Sequence, residues 1–401
     1  MSNSRLIAWV IWIIASIFYA YQYIIRVMPN ILMDDIMQQF NIDAVVFGQF
    51  SGVYYLGYSL MHLPVGVMLD HYGPRKVMTA CILLMVLGLV PMIYAEHWVY
   101  PILGRVIIGI GSSAAILGVF KIIRMTFSKA HFSRMLSFSV TIGLIGGIYG
   151  GAPISYMKEA LGYDAVVQSF ALIGVALAVV TYFIIPDIRQ ENNSTVMSEI
   201  REVLGNKKVI ITCILAGLMV GPIEGFTDVW GTAFFKKVYG FGGDVSSSLP
   251  SMIFIGMCFG APILNFIAEK SKSYLGTIIG SGIIMAIIFS ALVMTKLEVS
   301  MISISFILVG VCSAYQILAI YKASTYVADH VVGLTTAVAN MIIMIFGYGF
   351  HTIIGYVIKI NSAGDISQAF NYGIAVIPVT LIMGSIGFII MSFCERKAVN
   401  R

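Results

Sequence analysis

Long apolar stretches are the feature that most limits what this chain can fold into. Residues 6–25, 77–95, 165–185 and 277–295 each approach the length that a helix needs to cross a bilayer, about 20 apolar residues. Only 11% of the 401 residues are charged, whereas a soluble domain carries about 25%. Because backbone in lipid must satisfy its own hydrogen bonds, we predict an all-α integral membrane protein.

Turn residues and charges divide the chain into twelve apolar segments, each of which we predict to be a membrane-spanning helix. The longest polar stretch separates six segments from six, so we predict a six-helix half at 1–185, a cytoplasmic linker at 186–208 and a six-helix half at 209–401. The predicted spans are 6–28, 47–69, 76–95, 99–127, 135–157, 165–185, 208–234, 247–268, 273–295, 299–323, 333–358 and 370–394.

The linker contains an apolar pattern of its own. Val196, Ile200, Val203 and Leu204 recur at helical spacing. This pattern is typical of a short amphipathic helix on the inner membrane surface, and a plain linker is the alternative.

Lysine and arginine positions predict the orientation of the protein in the membrane. If the N-terminus is cytoplasmic, fourteen of these residues fall on the cytoplasmic side and five on the other side. The first outer loop agrees, because it contains Asp34, Asp35 and Asp43 and neither lysine nor arginine. We therefore expect a multi-pass protein with both termini in the cytoplasm, in a bacterial inner membrane.

Two segments of the chain resemble each other at a constant offset of 201 residues. Residues 106–122 read VIIGIGSSAAILGVFKI and residues 307–323 read ILVGVCSAYQILAIYKA. The most informative matching pairs are Gly109 and Gly310, Ser112 and Ser313, and Lys121 and Lys322. Two parallel six-helix repeats are typical of transporters whose site lies at the midplane.

The sequence lacks the motifs of several other function classes. No Lys- and Arg-rich patch with interleaved aromatic residues occurs, so the net charge of +5 does not indicate a nucleic-acid partner. The five cysteines show no CxxC or metal spacing. There is no Walker loop, no HExxH and no credible catalytic triad. We therefore expect neither an enzyme nor a nucleotide-driven pump, and no metal or cofactor.

The loop after the second span contains a recognisable motif, GVMLDHYGPRK. Its residues Gly66, Asp70, Gly73, Arg75 and Lys76 fit the loop signature Gly-x-x-x-Asp-Arg-x-Gly-Arg-Arg/Lys of the major facilitator superfamily, which the whole chain resembles. In that family the cluster is a conformational latch that holds the two halves in one state. We expect Gly66 to permit close helix packing, Gly73 to form a turn, and Asp70 to face a helix N-terminus or a nearby cation.

Two residues of this loop depart from the family pattern. His71 stands where the family usually has arginine, and Pro74 also differs. One member of the family's charge relay is therefore in doubt in this chain. A loop that serves only to keep positive charge inside is the alternative.

Two further family motifs are present in part. Residues 105–111, RVIIGIG, resemble the family's Arg-x-x-x-Gly-x-Gly in span four, where the matching arginine of proton-coupled relatives tunes coupling. Since an arginine costs about 2.5–3.5 kcal/mol at this depth, we expect Arg105 to face the interior, either in coupling or in a structural ion pair. Span five is rich in glycine but has Ile148 where the exporter pattern has proline, so its glycines favour a close-packing face.

The resemblance implies that spans one, four, seven and ten line a central cavity. Gln22 and Arg26 lie four residues apart in span one, and Glu224 and Asp228 lie four apart in span seven, so each pair shares a helix face. We predict a zwitterion site in which Arg26 binds a carboxylate while Glu224 or Asp228 binds an ammonium or carries a proton. A gate salt bridge without ligand, and simple placement at the membrane interface, are the alternatives.

Spans four and ten add further candidate residues. Lys121 and Lys322 occupy matching positions, and Gln316 lies near the middle of span ten. The two lysines are candidates to hold an anionic substrate or to close an inner gate. Their alternative role is to extend toward the cytoplasm from the inner ends of their helices.

The function expected from these features is secondary active transport by alternating access. The mixed charges favour a small polar solute such as an amino acid, a short peptide or another carboxylate, with coupling to a proton gradient as a possibility. A multidrug or organic-cation exporter is the alternative, and a non-transporting membrane receptor is a remote one. We expect the protein to act as a monomer in the lipid bilayer.

Overall fold

The structure is a computed structural model that describes residues 3–128, 131–186, 196–328 and 331–399. Every regular element in these residues is helical, which confirms the all-α prediction. The first helices are α1 (Asn3–Ile31), α2 (Met33–Gln39), α3 (Ala44–Tyr72), α4 (Pro74–Tyr94), α5 (Val99–Ser112), α6 (Ala114–Thr126), α7 (Phe132–Tyr149), α8 (Ala152–Leu161) and α9 (Tyr163–Ile184).

The remaining helices follow the predicted linker. They are α10 (Val196–Gly205), α11 (Lys207–Gly225), α12 (Gly231–Phe234), α13 (Gly243–Ser271), α14 (Tyr274–Met294), α15 (Val299–Ser313), α16 (Tyr315–Ser324), α17 (Val332–Asn361) and α18 (Ile366–Val399). Two π-helical turns, Phe226–Trp230 and Phe235–Tyr239, flank α12 and continue α11 into one long span.

The number of membrane-spanning helices agrees closely with the prediction. In the described part of the chain, ten helical stretches are long and apolar enough to cross a membrane, and the pair α7 and α8, bent by 42°, makes an eleventh. The twelfth predicted span, 47–69, is helical as part of α3. It is less apolar than the others because it carries buried polar residues such as Ser51, Ser59 and His62.

By their internal contacts the residues form two compact units. The first unit is Met1–Ile42 with Gln49–Ser194, and the second is Asp43–Gly48 with Thr195–Arg401. The boundaries predicted at 1–185, 186–208 and 209–401 stay a prediction, and residues 187–195 of the predicted linker lie outside the described residues. The later part of that linker forms α10, whose Val203 is buried, so the helical interpretation is confirmed there.

Glycines bring α1 and α7 of the first unit into close contact. A Cβ atom at Gly146 would lie 2.2 Å from the carbonyl oxygen of Ala20, and one at Gly143 would lie 2.5 Å from the ring of Tyr19. Only glycine therefore permits this approach. The interpretation of the span-five glycines as a close-packing face is confirmed.

The internal repeat predicted from the sequence is visible in the helices of both units. Span four breaks at Ser113 and span ten breaks at Ala314, the same position at an offset of 201. Ser112 contacts the sulfur of Met85 at 3.7 Å, and Ser313 contacts that of Met285 at 3.6 Å. Spans four and ten therefore share the position of their helix break and a serine–methionine contact beside it.

Helix α3 begins with a side-chain cap in the segment that belongs to the second unit. The Asp43 carboxylate accepts hydrogen bonds from the backbone N–H groups of Val45 and Val46, as an N-cap residue does. The same carboxylate lies 2.8 Å from the Nζ atom of Lys359. Burial alone would raise the pKa of Asp43, but Lys359 and the two N–H groups outweigh it and hold that pKa below its usual value.

Candidate functional site

In the first unit, the predicted pair Gln22 and Arg26 lies buried on one face of α1. The Gln22 amide Nε2 donates a hydrogen bond to the hydroxyl of Tyr54 on α3. The Arg26 guanidinium lies over two aromatic rings, 4.8 Å from the centroid of Tyr23 and 5.4 Å from that of Tyr55. These rings fix the guanidinium by cation–π attraction.

Burial argues against a simple interfacial placement of the predicted charges. Arg26 is 6% exposed and Asp228 is 1% exposed. A charged side chain that extends to the membrane surface keeps its charged end in water. Neither Arg26 nor Asp228 reaches water in this way. The hypotheses that remain for both residues are substrate binding or coupling and a gate salt bridge.

Arg105 on α5 is also buried, at 2% exposed, and binds main-chain carbonyl groups. Its Nη1 donates to the carbonyl of Ile25 at 3.0 Å, and its Nη2 donates to that of Arg26 at 3.3 Å. The guanidinium also lies 5.1 Å from the ring of Tyr54. Arg105 thus holds the α1 backbone at the point where Arg26 leaves it.

In the second unit, Glu224 and Asp228 lie on either side of a change in helix type. Glu224 is in the last turn of α11, and Asp228 is in the π-helical turn Phe226–Trp230. Both are buried. A π-helical turn inside an α-helix is rare and frequently marks a functional site.

Glu224 lines a small cavity that is formed within the second unit. Gln316 lies in the same lining, and its amide Nε2 donates to the side-chain oxygen of Asn340 at 3.3 Å. Tyr315 donates to the backbone carbonyl of Ala216 at 3.0 Å. The complete lining is Met219, Val220, Ile223, Glu224, Thr227, Met257, Ser313, Tyr315 and Gln316. The cavity therefore combines one carboxylate and several neutral polar groups with apolar walls.

The matching lysines form ion pairs inside their own units. Lys121 Nζ lies 2.6 Å from Asp70 Oδ1, and Lys322 Nζ lies 3.1 Å from Glu395 Oε2. Tyr326 also donates a hydrogen bond to the Glu395 carboxylate. Both lysines thus neutralise protein carboxylates here, and their roles toward a substrate or a gate stay predictions.

The sequence profile of the Major Facilitator Superfamily matches residues 11–350. The chain belongs to the Major Facilitator Superfamily. It is therefore a member of a family of secondary transporters, and the resemblance predicted from the loop motif is confirmed. No curated protein matched the sequence significantly.

Solved structures of transporters share the fold at low sequence identity. A bacterial homologue of the human lysosomal transporter Spinster is 15% identical, with 97% of this chain and 96% of that chain covered and a TM-score of 0.71. The nucleoside transporter NupG is 14% identical, with 95% and 99% covered and a TM-score of 0.76. A D-xylose–proton symporter is 13% identical, with 93% and 96% covered and a TM-score of 0.69.

The family's loop motif has a clear geometry in this transporter. Gly73 adopts a left-handed φ of 82° immediately before α4, and Pro74 occupies the first helical position. Proline is favoured there because its missing N–H would have no helical partner. Pro74, which departs from the family's loop signature, therefore starts α4 without disturbing the turn at Gly73.

Other residues of the motif hold the loop to the first unit. The cation expected near Asp70 is Lys121 of α6. Arg75 Nε donates to the carbonyl of Ile185 at 2.7 Å, while Lys76 lies on the exposed side of the first turn of α4. The role of this cluster as a latch stays a prediction.

The expectation for Gly66 is wrong. The nearest atom that a Cβ at this position would meet is a methyl carbon of Leu117 at 3.8 Å, which is ordinary van der Waals distance. Close helix approach instead occurs nine residues earlier along α3, at Gly57. A Cβ at Gly57 would lie 2.3 Å from the carbonyl oxygen of Val106.

Sequence reasoning missed two partners of the predicted residues. Asn340 on α17 binds Gln316, and Glu395 on α18 binds Lys322. Both lie outside the four spans that the family resemblance places around the cavity. The signal for Asn340 was available, because an amide inside a long apolar run is costly unless it has a partner.

Proposed function

We propose that this secondary transporter moves a small zwitterionic solute, such as an amino acid or a short peptide, by alternating access. One observation carries the proposal. Each unit buries charge of one sign on the spans expected to contact substrate, with Arg26 and Arg105 in the first unit and Glu224 and Asp228 in the second. A solute with a carboxylate at one end and an ammonium at the other matches both sets.

Arg26 is the group proposed to bind the carboxylate. Its planar guanidinium offers paired N–H donors that match the two oxygens of a carboxylate. The rings of Tyr23 and Tyr55 hold this guanidinium in place before ligand arrives. Such preorganisation reduces the entropy lost on binding.

Glu224 is the group proposed to bind the ammonium. The cavity that it lines also offers hydroxyl and amide groups from Thr227 and Gln316, which suit the remaining N–H donors of an amine. Met219 and Met257 form part of its wall. Because methionine side chains are flexible and polarisable, this wall can accept apolar side chains of different shape.

The energy source proposed is a proton gradient, with the latch residues controlling the change of state. Buried ionisable residues inside membrane spans are the groups that relay protons in transporters, and both units contain such residues. The solutes of the fold neighbours differ, including a nucleoside transporter and a D-xylose symporter. The fold therefore does not select the solute, and the proposal depends on the charged residues.

The experiment that tests the proposal compares one amino acid with two of its derivatives. Purified protein is screened by thermal shift against amino acids, dipeptides, organic acids, sugars and nucleosides, and the hits are assayed for uptake into proteoliposomes with and without a pH gradient. A zwitterion should stabilise the protein, whereas its amide and its N-acetyl form should do so much less.

Matched variants identify the residues behind that selectivity. Glu224→Gln should abolish the preference for a free amine, and the same change at the exposed outer residue Glu298 should leave it intact. Equal stabilisation by the zwitterion and both derivatives, or a hit only among sugars or nucleosides, would show the proposal to be wrong.

A further inference from the structure

His62 is a buried ionisable residue for which neither the family motifs nor the ion pairs give a role. It lies on α3, is 5% exposed, and its Nδ1 atom has no hydrogen-bond partner. A buried polar atom without a partner is unfavourable, so such an atom calls for an explanation. Ionisable residues inside membrane spans are rare and mark substrate paths or proton relays.

The side chain lies at one end of a row of aromatic residues that leads to the candidate site. The His62 ring is 5.2 Å from the ring of Tyr58, which stacks on Tyr54 at 6.1 Å. Tyr54 in turn accepts the hydrogen bond from Gln22 and lies beneath the Arg105 guanidinium. The row therefore connects His62 to Gln22 and to Arg105, which holds the α1 backbone at Arg26.

Charged groups on α3 and beside its aromatic row already have partners elsewhere. On α3 itself, Asp70 pairs with Lys121 of α6. On α5, Arg105 donates to main-chain carbonyls, and on α1 the Arg26 guanidinium lies over the rings of Tyr23 and Tyr55. No charged side chain of the described residues bonds to His62, so a proton bound there would be a new charge in this region.

Along α3, His62 lies midway between Tyr54, which contacts the candidate site residues, and Asp70 of the loop motif. Eight residues separate it from Tyr54 and eight from Asp70, about 12 Å of helix in each direction. This spacing places a charge at His62 within reach of both by through-space electrostatics, because a membrane interior screens charge weakly.

We propose that His62 is the residue whose protonation is coupled to transport. An imidazole nitrogen binds one proton from the side of higher proton concentration and releases it on the other, and only the N–H bond forms and breaks. The proton and the solute ammonium then occupy separate sites, which leaves Glu224 and Asp228 for the solute. This inference rests on the proposed transport function and deepens it.

The first test is the pH profile of uptake in proteoliposomes, measured with the best zwitterion from the screen. Between about pH 4 and 8, a window widened because burial disfavours the charged form of an imidazole, wild-type uptake should change by at least about fivefold. His62→Gln should make the profile flat. His351→Gln is the matched control, since that buried ring already contacts the Gly347 carbonyl at 2.6 Å, and it should keep the wild-type profile.

The second test needs no transported solute. Imidazole resonances of the six histidines are recorded in isotope-labelled protein in nanodiscs across the same pH range. The resonance that is missing in His62→Gln should titrate and should shift when the zwitterion is added. If that variant does not fold, substitution of the other five histidines assigns the signal by elimination.

The two proposals fail in different ways. An unchanged pH profile in His62→Gln, or a His62 resonance that stays constant across the range, overturns the role of His62 even if a zwitterion is transported. Absence of any zwitterion binding overturns the proposed function instead, and the resonance still decides whether His62 binds a proton.

Discussion

Residues 105 and 306 occupy matching positions in the two repeats, yet they stabilise their surroundings by different physics. Arg105 donates charged hydrogen bonds to main-chain carbonyls of Ile25 and Arg26. Phe306 instead packs in a cluster of aromatic rings at centroid distances of 5.4–5.9 Å, formed by Phe226, Phe235 and Phe289. The repeat therefore preserves the backbone plan and changes the chemistry inside it.

This difference has a mechanical consequence. Hydrogen bonds from a planar guanidinium are directional, so Arg105 fixes the position of α1 relative to α5. Contacts among aromatic rings allow many offsets of similar energy. The second unit, whose span seven also contains two π-helical turns, is accordingly better suited to local rearrangement than the first.

The matching lysines show the same contrast at the predicted cytoplasmic end. Lys121 pairs with Asp70, a residue of the family's loop motif, whereas Lys322 pairs with Glu395 of the last helix. The lysine is repeated but the carboxylate is supplied by a different helix. Of these two pairs, the first joins span four, which the family resemblance predicts to line the cavity, to the loop predicted to act as a latch.

The largest effect is expected when the first unit's residue is placed in the second. Phe306→Arg would bury a guanidinium among aromatic rings, which costs several kcal/mol out of a total stability of about 5–15 kcal/mol. We expect little or no folded protein by size-exclusion chromatography. Phe306→Leu, the control, should fold with a modestly lower melting temperature, and a well-folded arginine variant would contradict the comparison.

The reverse exchange should be less severe. Arg105→Met removes hydrogen bonds to carbonyls that also accept bonds within their own helices, so we expect stability to fall by about 2–3 kcal/mol, one charged hydrogen bond in size. Ligand affinity should fall with it, because the backbone at Arg26 is released. Arg124→Met, an exposed arginine in the same unit, is the control for both measurements, and equal losses there would remove the special role of Arg105.

The two ion pairs should differ in their effect on transport. Asp70→Asn should slow uptake while leaving ligand binding near normal, and Glu395→Gln should slow it less. Since Asp70 is about 41% exposed, screening limits the effect to about 1 kcal/mol, or about fivefold. The neutral change Asp34→Asn is the control for lost charge, and comparable loss of binding and transport in Asp70→Asn would contradict the latch hypothesis.

The smallest effect is expected from a change that keeps the charge. Arg26→Lys retains a cation but loses the planar pair of donors, so affinity for carboxylated solutes should fall by about threefold to tenfold. The amide of the same solute should bind as it does to wild type. An unchanged ratio between acid and amide, measured by thermal shift or calorimetry, would count against carboxylate binding by Arg26.

Much of the fold followed from local sequence features, while the site followed only in part. Hydropathy and loop charges located the spans, and the predicted ends differ from the observed helix ends by up to about five residues. For example, α13 begins at Gly243 and α18 reaches Val399. Helical spacing correctly grouped Gln22 with Arg26. It could not pair Asn340 with Gln316 or Glu395 with Lys322, since partner choice depends on which helices become neighbours.

The sequence by itself determined the membrane class, the helices, the internal repeat and the family motif, because each depends on the order of residues within one segment. The tertiary structure decided that Arg105 binds main-chain carbonyls, that Lys121 and Lys322 take different carboxylates, and that His62 is buried without a partner at Nδ1. These outcomes depend on the rotation and neighbours of each helix. A hydrophobic pattern places a helix in the membrane, and the packing of other helices against it decides what its polar residues meet.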